Sequence, residues 1–403
     1  MFRINMFQSG FGDCILVRLN TKSNENINIL IDCGFKYKEI LGKIKNLLGD
    51  TPTLNRFIIT HYDADHIHGA ISLIKENGSS SSPKNFNIEQ VWLNSYRHLQ
   101  FFEKEDLEIT PIISRNVKAY IAEKKIHDSN IEGNISASQA SSLASEVFKN
   151  DYKWNFDAKG KAICTEEIDS LNLHPEVNIR LLSPTQDNLQ DLEESFIKDL
   201  SKMRLKPKDG EIFDDAFELY IQWLENESNI VEGPVSIRKD QICSAVIKEL
   251  SVGESYKKDN AVGNGSSIAF VLEFENKKVL FLGDAHAEVV IDSLKSIYGS
   301  AESIFFDAVK VSHHGSFNNN GPELYKLIDS NTFLFSTNGK HPTHKHPDLA
   351  TICCIIDRPL NHGITNRQLI FNYELEHLNE FMNKDLQQEF NYSMICSEEV
   401  EIC

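Results

Sequence analysis

The sequence has no Cys-x-x-Cys pair. Its eight cysteines stand apart at 14, 33, 164, 243, 353, 354, 396 and 403. In a chain this long that spacing makes neither a zinc ribbon nor a disulfide framework. Cys14 and Cys33 fall in strand-like runs and read as small core residues; Cys353 and Cys354 read as buried thiols on a helix. Long apolar runs are missing too, and none approaches the roughly 18 residues of a membrane helix. The opening Met1 to Phe7 alternates apolar and polar residues and lacks the basic start and apolar core of a signal peptide. The expectation is a soluble, cytoplasmic protein with no membrane partner. Positive charge is scarce, 41 Lys and Arg against 59 Asp and Glu, a net charge of −18. That counts against a large non-specific nucleic-acid surface. It leaves a nucleic-acid substrate open, because bound cations invert the local field at a site. There is no internal repeat, and low complexity is confined to Ser79–Ser82.

What is present begins with a hydrophobic content of 41% over 403 residues. That is enough for a sizeable core, and a large α/β fold can use such a length as one domain with insertions. The densest chemistry lies in Thr60-His61-Tyr62-Asp63-Ala64-Asp65-His66-Ile67-His68-Gly69, straight after the apolar run Phe57-Ile58-Ile59. A short apolar run followed by a polar cluster predicts a buried strand ending in a loop. Ile67, Ala70, Ile71 and Ile74 then recur at helical spacing. Imidazoles and carboxylates converging on a strand-to-helix turn are a metal-site signal.

Taken in order, the chain opens with a β-meander of three strands: residues 2–7, Cys14–Leu19, and Ile27–Ile31 running into Asp32-Cys33-Gly34. Helical spacing follows at Ile40, Ile44 and Leu47. Short strands are expected at Val91–Asn94 and at Val177–Leu182. Residues 97–150 read as mostly helical and charged, with a small-residue run, Ser136–Ala144, as a further helix. Residues 187–258 are acidic and the least patterned, with short helices such as one carrying Ala216, Phe217, Leu219, Tyr220 and Trp223. Strand character returns at Ser267–Phe274, at Val279–Leu282 ahead of Gly283-Asp284, at Asp307–Val311 ahead of Ser312-His313-His314-Gly315-Ser316, and at Thr332–Phe335.

Nine of the fourteen histidines (61, 66, 68, 286, 313, 314, 341, 344 and 346) lie just beyond such strand ends. Ligands at one end of several strands converge on one rim of a sheet. The rim carries imidazoles and carboxylates but no cysteine, which suits Zn²⁺ and also Mn²⁺ or Fe. An aspartate able to bridge two ions points to a dinuclear centre. Two cations about 3.5–4 Å apart lower the pKa of a shared water and steady the attacking and leaving oxygens. The expected reaction is hydrolysis by a hydroxide held on metal, with no protein nucleophile.

The order of these motifs resembles the metallo-β-lactamase fold, and within it the soluble hydrolase domain of the ComEC-like competence branch. The resemblance rests on Gly10-Phe11-Gly12-Asp13, Leu30-Ile31-Asp32-Cys33-Gly34, Thr60 to His66, Leu182-Ser183-Pro184, Asn264-Gly265-Ser266-Ser267, Gly283-Asp284, His313 to Ser316 and His346-Pro347. It covers about 1–95, 177–186 and 262–355. It implies an α/β fold, the αββα sandwich with helical insertions: a hydrolase domain over 1–370, insertions at about 97–176 and 187–258, and a C-terminal extension over 371–403. The chain departs from the superfamily at Asp63, where a second histidine is usual. Fewer imidazoles weaken the case for zinc alone and admit Mn²⁺. The superfamily's middle histidine has no plain counterpart; His174 precedes the wrong strand, and His286 is a candidate substitute.

The resemblance implies two divalent ions, Zn²⁺ or Mn²⁺. His61 and Asp63 would hold one, Asp65 and His66 the second, and Asp284 would bridge them. His313 or His314 would complete the second site, with His313 first choice because it leaves the strand. Asp65 counts among the catalytic residues. Ser316 and His346 would face substrate, binding a phosphate oxygen or giving a proton. Asp32 would orient imidazoles; Asp13 would do the same or cap a turn; His68, His341 and His344 read as surface residues. The implied function is a phosphodiesterase or nuclease acting on nucleic acid or another phosphodiester. A second reading is hydrolysis of another ester, amide or lactam bond. A third is a folded module with protein partners in a multi-gene system such as bacterial defence, against which the intact ligand set argues.

Overall fold

A computed structural model describes residues 1–49, 52–99, 142–202, 241–299, 302–341, 344–361 and 363–402, with 108–109, 211–212, 214, 216–221 and 224. Ser136–Ser141 of the small-residue run and Trp223 lie outside the described residues.

The period-2 runs of the N-terminal meander form β1 (Phe2–Met6), β2 (Ile15–Asn20) and β3 (Asn26–Ile31), paired antiparallel. α1 (Tyr37–Leu48) crosses to β4 (Arg56–Ile58), parallel to β3, and α2 (Ala64–Asn77) crosses to β5 (Val91–Trp92), parallel to β4. A second sheet carries β6 (Ser170–His174), β7 (Val177–Ser183), β8 (Ala269–Phe274), β9 (Lys277–Phe281), β10 (Ala308–Lys310), β11 (Thr332–Phe335), β12 (Arg367–Phe371) and β13 (Tyr392–Cys396) side by side in that order. β14 (Glu399–Glu401) returns to the first sheet, whose order is β14-β1-β2-β3-β4-β5.

Alternation sets the layers. Ile4, Val17, Ile29 and Ile31 of the first sheet face Ile179, Phe270, Leu272 and Phe281 of the second and form the inner core. The opposite faces carry Leu16, Leu30 and Phe57, covered by Ile40, Ile44, Ile67 and Ile74 of α1 and α2. On the other side Val271, Leu280, Val309 and Phe333 are covered by Val290 and Leu294 of a helix at Ala287–Tyr298 and by Ile352 and Ile355 of one at Leu349–Ile356. The result is helix, sheet, sheet, helix, with each sheet buried on both faces. Cys353 and Cys354 are buried on the latter helix.

Two segments differ from the sequence reading. Residues 187–258 looked short of pattern, yet Gln186–Lys202 is a 17-residue helix. Its buried Leu189, Leu192, Phe196 and Leu200 recur at helical spacing inside a charged background. Residues 371–403, expected as an extension, supply β13 to one sheet and β14 to the other.

One buried ion pair ties the edge of the second sheet. Arg367 donates from Nε and Nη2 to the two Asp329 oxygens at 3.2 and 3.0 Å, and from Nη2 to the Pro359 carbonyl at 2.8 Å. Both side chains are fully buried. Removing one partner strands the other charge, so Arg367→Met is expected to cost about 3–5 kcal/mol. A shift in the denaturation midpoint worth less than about 1 kcal/mol would mean that Arg358, 3.5 Å from Asp329, suffices for it.

Candidate metal centre

The strand ends β3, β4, β9 and β10 open on one rim, and the loops there carry the polar residues. β4 runs through Ile59 into Thr60-His61, and Asp63 starts α2. An Asp in that position normally caps the helix with its side chain. Here it makes no such bond, and its Oδ2 lies 3.4 Å from His61 Nε2. Asp65 and His66 stand in the first turn of α2.

That turn sits against two loops with no room for side chains. A Cβ on Gly12 would fall 1.9 Å from the Asp65 carbonyl oxygen, and one on Gly34 would fall 2.0 Å from the same atom. Both glycines are needed for the close approach rather than for their dihedrals.

Hydrogen bonds fix which ring nitrogen faces inward. His66 donates from Nδ1 to Asp32 Oδ2 at 2.8 Å. Thr60 gives its hydroxyl proton to the same carboxylate at 2.7 Å, so its oxygen accepts from His61 Nδ1 at 3.0 Å. His314 donates from Nδ1 to the Ser336 carbonyl at 2.7 Å, and His313 from Nδ1 to Asn319 Oδ1 at 2.9 Å. All four rings therefore turn a lone-pair Nε2 toward carboxylates. His66 Nε2 lies 3.5 Å from Asp284 Oδ2 and 3.8 Å from Asp65 Oδ1. His61 Nε2 and His313 Nε2 lie 3.8 and 3.7 Å from Asp284 Oδ2. His314 Nε2 lies 3.0 Å from Asp65 Oδ2.

Facing lone pairs at such distances need a cation or a proton between them. His61 Nε2, His66 Nε2 and Asp284 Oδ1 are buried with no hydrogen-bond partner among the described residues. Ligand atoms of His61, His66 and Asp284 fall within 4.8 Å of one another, and so do those of Asp65, His66 and His314. The electrostatics agree. Burial opposes a charge on His66, yet Asp284, Asp65 and Asp32 hold its pKa well above the ordinary imidazole value. Burial favours the neutral form of Asp284, yet His66 and His313 hold its carboxyl well below the usual range. Burial and His66 oppose a charge on His61, and Asp63 overrides them and raises its pKa. Without a cation the centre would retain protons in its place; the donor set of imidazole nitrogens and carboxylate oxygens fits Zn²⁺ or Mn²⁺.

The structure thus brings together His61, Asp63, Asp65, His66, Asp284, His313 and His314. His314 stands beside Asp65 and His66, where His313 was first choice; His313 faces Asp284. The cause is backbone: both residues take positive φ, 44° and 52°, so successive rings diverge. His286 donates from Nε2 to the Ala261 carbonyl at 2.9 Å and joins neither group. His346 is buried, with both ring nitrogens lacking a hydrogen-bond partner among the described residues, and its ring is centred 5.4 Å from that of His313. Ser316 is buried on the loop of His313, its backbone N–H donating to the His313 carbonyl. His68 is exposed, but His341 is half-buried and His344 buried, the two stacked 3.8 Å apart.

Several residues were missed. Ser267 accepts from the Asp284 N–H at 2.9 Å, and Asn319 holds His313 while donating to the Asp284 carbonyl. Asp259 accepts from Asn264 and Asn319. Lys310 pairs with Asp13 at 2.7 Å. Ser267 and Asn264 lie in a motif quoted from the sequence without a role, Lys310 shows as a lone cation inside the apolar run before the paired histidines, and Asp259 and Asn319 carry no such signal.

A sequence model of the metallo-beta-lactamase superfamily matches residues 9–79, the stretch that holds Asp13, Asp32 and His61 to His66. No curated protein matches the chain. Among solved structures, it is similar to Zn²⁺-bound PqqB from Methylobacterium extorquens, at 10% identity and a TM-score of 0.36, covering 99% of both chains. It is also similar to the metallo-beta-lactamase fold protein YhfI from Bacillus subtilis, at 10% identity and a TM-score of 0.36, covering 100% of both. The fold is the α/β sandwich expected from the sequence.

Gly12→Ala should displace Asp65 while leaving both sheets intact. The expected outcome is unchanged far-UV circular dichroism with metal content cut at least several-fold, read by elemental analysis. Full metal content in this variant would show that the Asp65 backbone can retreat without loss.

Proposed function

We propose that this chain is a metal-dependent phosphodiesterase acting on nucleic acid or a related phosphodiester, with two divalent cations, Zn²⁺ or Mn²⁺. The observation that carries the reading is the pair of imidazole–carboxylate groups that share His66, with buried lone pairs facing one another. Two cations supply a water of lowered pKa and offset charge on the attacking and leaving oxygens. His61, Asp63 and Asp284 would hold one ion; Asp65, His66 and His314 the other, with His313 at the Asp284 side. The carboxylate-rich set favours oxygen-loving ions and a phosphate ester over a softer, purely imidazole site.

The remaining residues orient and transfer protons. Asp32 holds His66 by Nδ1, and Thr60 holds His61, which keeps both Nε2 atoms toward the centre. His346 lies beyond His313 with Nδ1 3.7 Å from Asp348 Oδ2. Its Nε2, with no hydrogen-bond partner among the described residues, is placed to bind a phosphate oxygen or to give a proton to the leaving oxygen.

The purified chain is expected to contain divalent metal and to cleave bis(p-nitrophenyl) phosphate and single-stranded DNA or RNA with Zn²⁺ or Mn²⁺ present. Asp65→Ala and Asp284→Ala should each lower metal content, and together abolish it. Turnover of a lactam or thioester in the same panel, with phosphodiesters untouched, would move the reading to another bond. His346→Gln should leave metal content at the parent level and lower kcat by about 10²–10⁴-fold, the range for loss of a general acid. Unchanged kcat there would remove His346 from the chemistry.

A further inference from the structure

A third imidazole–carboxylate group lies beside the other two, formed by Asp13, Asp32 and His66. Unlike them, it already has its cation. The His66 Nδ1 proton is committed to Asp32, whose oxygens also accept from Thr60. Lys310 Nζ lies 2.7 Å from Asp13 Oδ2 and donates to the Val311 carbonyl at 3.1 Å. Both side chains are at most 2% exposed. Drying two ions costs several kcal/mol each, and a hydrophobic pair of similar volume often serves stability as well. Stability alone is therefore a weak reason for this pair.

Its two ends lie in different halves of the fold. Asp13 stands in the turn between β1 and β2, next to the Gly12 that abuts the Asp65 backbone. Lys310 closes β10, three residues ahead of His313. Asp13 Oδ1 lies 3.5 Å from His314 Nδ1. The candidate ligands divide in the same way: His61, Asp63, Asp65 and His66 come from the N-terminal half, and Asp284, His313 and His314 from the C-terminal half. The His314–Asp65 contact at 3.0 Å spans that junction. With lone pairs on both sides, it closes the junction only when a cation or a proton lies between them.

We propose that the Asp13–Lys310 ion pair is a clamp across this junction, holding the His314 side of the centre against the Asp65 side before metal arrives. Both are positioning residues for metal binding. The proposal rests on the metal-centre reading above.

The test uses the full chain and the variant D13N/K310M. Both charges leave together, so net charge is kept and no buried charge is stranded; a change in affinity then reports geometry. Zn²⁺ affinity is read by competition with a chromophoric chelator, and thermal unfolding is followed in parallel. The expected result is cooperative unfolding with Zn²⁺ bound about 10–100-fold more weakly, the range for losing a residue that orients a ligand. Cooperative unfolding with affinity within twofold of the parent overturns the clamp. Should the double variant not fold, D13L/K310L, which likewise removes both charges and fills the space with apolar side chains, is read the same way: weaker binding supports the clamp and parent-like binding overturns it. A parent chain that takes up no divalent metal overturns the metal-centre reading and the clamp together. Parent-like binding in the variants overturns the clamp alone.

Discussion

The loop from Thr60 to His66 depends on the buried carboxylate of Asp32. It accepts from the Thr60 N–H, the Thr60 hydroxyl and His66 Nδ1, at 2.7, 2.7 and 2.8 Å. Its own N–H donates to the Ile58 carbonyl, and the next N–H, of Cys33, donates to the His66 carbonyl. One residue thereby joins the end of β3, the end of β4 and the start of α2. It also fixes two rings: because the Thr60 proton goes to Asp32, His61 must donate to Thr60, as His66 donates to Asp32. Bonds to a charged acceptor are about twice as strong as neutral ones, which suits a residue held at a φ of 55°.

The opposite side of the centre relies on strain. His313 and His314 occupy the left-handed region in succession, at a cost of order 1–3 kcal/mol each. The loop is held down from several directions. The Asp348 N–H donates to the Gly315 carbonyl. Asn320 donates to the Ser312 and Ser316 carbonyls, and Asp348 accepts from the Phe317 N–H. The reward is that adjacent residues serve two different groups. A regular helix or strand would send neighbouring rings about 100° or 180° apart in a repeating pattern; this loop aims one at Asp284 and the other at Asp65.

Much of this was legible in the sequence because burial and chemistry alternate cleanly. Apolar runs such as Phe57-Ile58-Ile59 and Val279–Leu282 mark strands covered on both faces, and the polar residues that follow them mark the rim. Asp32 was legible in the same way. Which of His313 and His314 faces Asp65 was not, since φ is no property of a His-His pair. Lys310 stood out as a lone cation in a short apolar strand, but nothing local pointed to its partner, some three hundred positions earlier. The last two strands were hidden as well. Tyr392–Cys396 and Glu399–Glu401 pair with β12 and β1, and pairings over such separations leave no local trace.

The return of β14 to β1 bears on how the chain is made. Arg3 is opposite Glu401 and Asn5 opposite Glu399, so β1 is covered by a strand synthesised long after it. The stretch that carries Asp32 and His61 to His66 leaves the ribosome ahead of the second sheet, and α1 and α2 can cover one of its faces at once. Its other face awaits the second sheet, and the free edge of β1 awaits residues 399–401. Throughout elongation that edge is an open template for pairing with another chain. The cost of the architecture is thus paid in time, as a long interval in which a nascent half-site must be kept from its neighbours.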